Sequence, residues 1–122
     1  MTAKKNALNP STVNEPFCPC EPDVPGRKAV GVDTEIKASN LRRLSRIEGQ
    51  VRGIQCMVED DRYCADILTQ VTSVQEALRA VARALMRNHL THCATHAIRT
   101  GSTEERQAMY DELLEMIYKN AR

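Results

Sequence analysis

The sequence contains no tryptophan and one phenylalanine, and only 3% of its residues are aromatic. Sandwiches and barrels draw on aromatic and β-branched strands, so this scarcity argues against an all-β fold and for helices packed through aliphatic side chains. Proline is missing from most of the chain: Pro10, Pro16, Pro19, Pro22 and Pro25 are the five present, and none follows. No apolar run reaches the length of a membrane span, and the opening MTAKKNALNPS lacks the apolar stretch of a signal peptide. The chain is therefore expected to be cytoplasmic, with no membrane partner. No acid–base pair, nucleophile motif or phosphate-cradling loop is present, so an enzyme is not expected. The cysteines number five. An odd set in a reducing compartment reads as thiols or ligands rather than a disulfide framework.

What is present fits one small helical domain: 122 residues, 42% hydrophobic and 27% charged. Residues 1–36 hold all the prolines and almost no hydrophobic periodicity, and read as a flexible N-terminal arm. Residues 37–122 read as the folded part. A first helix is expected from Ser39 or Asn40, both good N-caps, with Leu41, Leu44, Ile47, Val51, Ile54 and Val58 as its apolar stripe. Gly49 and Gly53, four apart, suggest close approach by another helix. EDDR at residues 59–62 reads as a turn. The second helix is expected from Tyr63 to about Thr100, with Ile67, Val71, Val74, Leu78, Val81 and Leu85 forming a heptad seam and Gly101 as the C′ residue. A helix that long in so small a chain needs a partner. A third helix follows, capped by Ser102 or Thr103, with Met109, Leu113, Met116 and Ile117 as its stripe.

Charge is near balance overall at +1, but residues 37–52 hold Lys37, Arg42, Arg43, Arg46 and Arg52 against Glu48 alone. Such a cluster suits a polyanion. All three histidines lie in NHLTHCATH, residues 88–96. His89 and Cys93, four apart, share one helix face and can chelate one ion. Cys64 lies on the seam at the other end of the same helix, about 37 Å away at 1.5 Å per residue. One chain cannot close that gap. Two such helices packed antiparallel would bring Cys64 of one beside His89 and Cys93 of the other, giving two equivalent sites by two-fold symmetry. Two thiolates and an imidazole make a soft, three-coordinate set that suits Cu(I). Zn(II) would want a fourth ligand, which His92, His96 or the cysteines of the arm could supply. Two cysteines meeting across an interface could also react with oxidants or sulfur species.

LRRLSRIEGQVRGI (41–54), MVEDDRYCADILTQ (57–70) and HLTHC (89–93), in that order, resemble the copper-sensing repressors of bacteria, the CsoR/RcnR family, over roughly residues 40–120. The resemblance implies an all-α protomer of three helices, antiparallel dimers with a four-helix core, and dimers pairing into tetramers. It implies an apo form that binds operator DNA and represses efflux genes, and release on effector binding. Cys64, His89 and Cys93 match the Cys–His–Cys ligands of the copper sensors. Tyr63 and Glu112 match the residues that flank those ligands and couple the metal to the DNA face. Arg43, Arg46 and Arg52, with Gln50 between, match the basic face of the first helix, which overlaps the charge cluster above. Cys93 and the absence of histidine before His89 differ from the nickel and cobalt sensors. Thr2 differs from the N-terminal proline of the formaldehyde sensors, and His89 from the persulfide sensors.

Three features stand apart from that pattern. Cys18 and Cys20, in FCPC on the arm, and His92 are candidate accessory copper ligands. Cys56 reads as a structural thiol. A copper chaperone is a further candidate partner. Two other functions fit part of the sequence: a thiol- or persulfide-sensing repressor using Cys64 and Cys93, and a copper carrier without DNA binding, which would need no basic face on the first helix.

Overall fold

Asp33 starts the first helix. Its carboxylate accepts hydrogen bonds from the amides of Glu35 at 2.9 Å and Ile36 at 3.0 Å, and α1 runs Thr34–Glu59. The cap therefore lies six residues before Ser39, inside the stretch read from sequence as arm. Ser39 and Asn40 sit within the helix instead, and Asn40 is buried. Aspartate satisfies amide donors at a helix start as well as serine or asparagine, and Glu35 in the first turn adds a favourable interaction with the helix dipole. The computed structural model describes residues 27–121.

The expected turn is present. Asp61 takes φ 51°, a left-handed conformation that aspartate tolerates better than most side chains, and it reverses the chain after Glu59. Then α2 (Cys64–Asn88) runs back along α1. The two helices meet through rows spaced seven residues apart, Asn40, Ile47 and Ile54 on one and Val74, Val81 and Asn88 on the other, with Ile47, Val74 and Val81 forming the buried centre. Each row is apolar in the middle and ends in a buried asparagine at the same end of the hairpin.

The long second helix continues to Thr100, as the periodicity predicts, but not as one α-helix. A π-helical segment, His89–Ala94, joins α2 to α3 (Thr95–Thr100) with helical dihedrals at both junctions. The Thr95 hydroxyl donates to the Leu90 carbonyl five residues back, in keeping with the wider turn. Together α2, the π segment and α3 make a rod of about 55 Å. It stops at Gly101, whose φ of −77° and ψ of 160° are extended. The glycine thus does not supply the left-handed C′ turn expected from sequence. It supplies room, since a β-carbon there would lie 2.3 Å from the Ala97 carbonyl oxygen. Ser102 then caps α4 (Thr103–Asn120) in a reciprocal capping box with Glu105. The protomer is all-α, with three helical bodies: α1, the rod and α4.

The core is thin. Ile47, Val74, Val81, Ala94 and Met109 are the buried apolar residues, and none is fully enclosed. The heptad seam of α2 divides into two rows. Val74 and Val81 face α1, whereas Leu78 and Leu85 remain 45% and 55% exposed. Ile117 of the α4 stripe is also exposed. A β-carbon on Gly49 or Gly53 would meet nothing, so the close helix approach expected there is absent within the protomer. Among the described residues no helix is long and apolar enough to cross a membrane.

Candidate metal centre

Cys64 is the first residue of α2 and is exposed. Tyr63 occupies the N-cap position before it, 75% exposed and with no side-chain capping bond. A phenol cannot cap as a short oxygen-bearing side chain does, so the local cost is about 1 kcal/mol. At the other end of the rod, the helix changes from α to π at His89, and His89 and Cys93 fall within the one π segment. Both side chains are half-buried. The His89 Nε2 is enclosed and has no hydrogen-bond partner. The Glu112 carboxylate of α4 lies 4.0 Å from it, too far for a hydrogen bond.

The protomer thus holds His89 and Cys93 in one π segment, with Glu112 near His89, and leaves Cys64 and Tyr63 at the far end of α2. Among the described residues no three histidine, cysteine or acidic groups converge as a metal would require. His89 and Cys93 open into a groove of about 920 Å³ walled by Leu85, Met86, Leu90 and Met116. His92 is half-buried and lies against Gly31, whose β-carbon position is 2.9 Å from the His92 Nδ1. His96 is exposed, with Nε2 3.5 Å from the Thr100 hydroxyl. Cys56 is exposed on α1 and fills no core, contrary to its reading as a structural thiol. Cys18 and Cys20 lie outside the described residues.

The expected basic face needs adjustment. Arg43, Arg46 and Arg52 are all exposed on α1, and Gln50 is half-buried, its Oε1 enclosed without a partner. At about 100° per residue, Arg43, Arg46 and Gln50 fall within roughly 60° of one another, whereas Arg52 lies roughly 180° around from Arg43. Arg52 is also paired with Glu48 one turn back. The four residues form a face of three with Arg52 behind it.

One group of contacts has no counterpart in the sequence-based expectations. Residues 27–33 form a strap across this end of the rod. The Asn88 carboxamide accepts from the Asp33 amide at 2.8 Å and donates to the Gly31 carbonyl at 3.1 Å. Arg27 reaches Glu112 at 3.6 Å. The sequence does carry one signal: Asn88 extends the row Val74, Val81 by seven residues, a polar residue where the pattern calls for an apolar one.

Residues 36–119 match the family described as metal-sensitive transcriptional repressor. The copper-sensing transcriptional repressor RicR of Mycobacterium tuberculosis is 52% identical over 68 residues, covering 56% of this chain and 71% of that protein. The copper-sensing transcriptional repressor CsoR of Bacillus subtilis is 52% identical over 77 residues, covering 63% of this chain and 73% of its own length. The crystal structure of the copper-sensing repressor CsoR with Cu(I) from Geobacillus thermodenitrificans superposes with a TM-score of 0.68 at 41% identity, covering 81% of this chain and all of that one. Repression is a binding activity, and the chain is not an enzyme. It belongs to the metal-sensitive transcriptional repressors, the CsoR/RcnR family, and within them to the copper-sensing branch.

Proposed function

We infer that the chain is a cytoplasmic, Cu(I)-responsive repressor whose apo form binds operator DNA and whose Cu(I)-loaded form leaves it, allowing transcription of copper efflux genes. The observation that carries this reading is the separation of Cys64 from His89 and Cys93 along one rod, with an exposed apolar row between them. That row is symmetric about Leu78. Val71 and Leu85 lie seven residues before and after it, and Cys64 lies fourteen before, opposite His92, midway between His89 and Cys93 to within a residue. Two copies of α2, antiparallel about Leu78, pair Leu78 with itself and Leu85 with Val71 of the partner subunit. The same register sets Cys64 beside the other chain's His89 and Cys93, an isologous interface with a site at each end. The pairing covers the open row and completes a four-helix core. Two such dimers form the tetramer that meets DNA.

The donor set fits Cu(I). Two thiolates and an imidazole are soft and few. With Nε2 turned toward Glu112, Nδ1 is the ring nitrogen left for the metal, and Glu112 fixes the ring from outside as flanking carboxylates do. Tyr63 serves Cys64 in the same way, which gives a reason for a tyrosine at an N-cap. Cys18, Cys20 and His92 stand as accessory ligands for incoming copper, with a copper chaperone as its donor. Arg43, Arg46 and Gln50 contact DNA mainly through phosphates, while Arg52, on the opposite side of α1 and paired with Glu48, can meet DNA only from another face of the assembly.

Switching requires that the DNA-free form bind Cu(I) more tightly than the DNA-bound form. Fluorescence anisotropy of DNA from upstream of the gene, titrated with reduced protein with and without anaerobic Cu(I), tests the reading. Cu(I) is expected to release the wild type and leave Cys64→Ala bound. A chain that never binds that DNA, or binds it equally with Cu(I), contradicts it.

A further inference from the structure

We propose that Asn88 is a positioning residue that ties the metal end of α2 to the first turn of α1. The state of His89 and Cys93 is thereby passed to the helix that carries Arg43 and Arg46. The inference rests on the copper-repressor reading and specifies how its two ends communicate.

Four observations meet at this residue. Asn88 is buried, and both polar atoms of its carboxamide are used by the strap, on Asp33 and on Gly31. Among the described residues these are the side-chain hydrogen bonds that join distant parts of the chain; the rest span five residues or fewer. Asp33, whose amide Asn88 holds, is itself the cap of α1, so the cap has a fixed position relative to α2. Finally, Asn88 is the last α-helical residue before the π segment and the neighbour of His89 in sequence. A π segment in an α-helix is a local register change that a shift at either end can move or remove.

The strap touches the same centre twice more. Gly31 lies against the His92 ring so closely that a β-carbon would be 2.9 Å from Nδ1. Arg27 and His89 approach the same carboxylate, Glu112, at 3.6 Å and 4.0 Å. Ligation that draws His89 and Cys93 toward a partner's Cys64 therefore has two routes to the strap. One is the backbone from His89 to Asn88, and the other is the Glu112 carboxylate that Arg27 shares. Because Asp33 is both strap and cap, displacement of the strap tilts or frays the start of α1. That is a discrete element both sites can bias, which coupling between separated sites requires.

The test uses the full chain as an oligomer, with Cu(I) supplied anaerobically, and three readouts: Cu(I) stoichiometry, amide exchange across residues 31–36, and the ratio of DNA dissociation constants with and without Cu(I). In the wild type, Cu(I) is expected to change exchange across residues 31–36. Asn88→Ala is expected to bind Cu(I) at full stoichiometry, lose that exchange response, and show a ratio reduced about tenfold, within the usual range of coupling between sites. A merely structural asparagine would lower stability and apo DNA affinity while leaving the ratio intact, and that result overturns the proposal. Gly31→Ala, which crowds His92 from outside the core, decides the matter if Asn88→Ala does not fold: its ratio should fall as well, and an unchanged ratio refutes the latch. If Cu(I) fails to release wild-type DNA, the repressor reading fails by itself. The latch then stands or falls on whether Cu(I) alters exchange across residues 31–36 in the wild type and not in the variant.

Discussion

Two single residues at the proposed sensing site serve the fold poorly. Tyr63 stands at an N-cap without capping, and His89 encloses a ring nitrogen with no partner. Each is a local cost that a purely structural sequence would avoid, and such conflicts collect at functional sites. Tyr63→Asn is accordingly expected to stabilise the protein by about 1 kcal/mol, since it supplies the missing cap. Chemical denaturation measures this, and a destabilised variant would show that the exposed ring packs on something. His89→Ala separates copper from thiol chemistry. Competition with a chromophoric chelator should show Cu(I) affinity falling by orders of magnitude, while Cys64 and Cys93 keep their reactivity toward thiol reagents. Retained tight Cu(I) binding would favour a thiol-only site. Gly101→Ala should cost about 1–3 kcal/mol, because its β-carbon would press on the Ala97 carbonyl; thermal unfolding reads that directly.

At the scale of elements, the hydrophobic pattern carries most of the fold. Three helical bodies, the turn near Asp60 and Asp61, and the Ser102 cap all follow from spacing and cap chemistry. The start of α1 does not, because the prolines ending at Pro25 make everything before Lys37 read as unstructured, and Asp33 does not stand out as a cap. The π segment is invisible for a different reason: it adds a wider turn without changing residue type, so the polar and apolar alternation through HLTHCA reads the same in either helix. Contacts of the strap are tertiary, and nothing local encodes that Asn88 meets Gly31 and Asp33. For the proposed centre, Cys64, His89 and Cys93 are nominated from sequence because soft ligands are rare and their spacing is interpretable. The division of the α2 seam into a covered and an open row emerges only from burial in the folded protomer. That division makes Leu78 the point where the proposed interface is most sensitive. Leu78→Asp places two carboxylates against each other on the two-fold axis. Sedimentation should show dissociation toward monomers together with loss of tight Cu(I) binding, whereas an intact oligomer would place the interface elsewhere.

As a whole molecule the protomer is unfinished, with a thin core, an exposed leucine row, and part of the proposed ligand set at each end of a 37-residue rod. On the proposed reading assembly and sensing are one property, since the proposed metal site is built only where two chains meet. DNA binding by the assembled basic faces should weaken steeply with salt, and removing Arg46 should lower the slope of log K against log salt by about one for each phosphate that its guanidinium neutralises. The most direct test of the central claim, a site shared between subunits, mixes two defective chains. Cys64→Ala and Cys93→Ala are each expected to lose tight Cu(I) binding as homodimers. Co-refolded in equal amounts, they should regain it at about one quarter of the wild-type stoichiometry, because half the dimers are mixed and each mixed dimer rebuilds one complete site of two. A mixture that binds no better than either variant alone would mean that the ligands come from a single chain, and the account would be wrong.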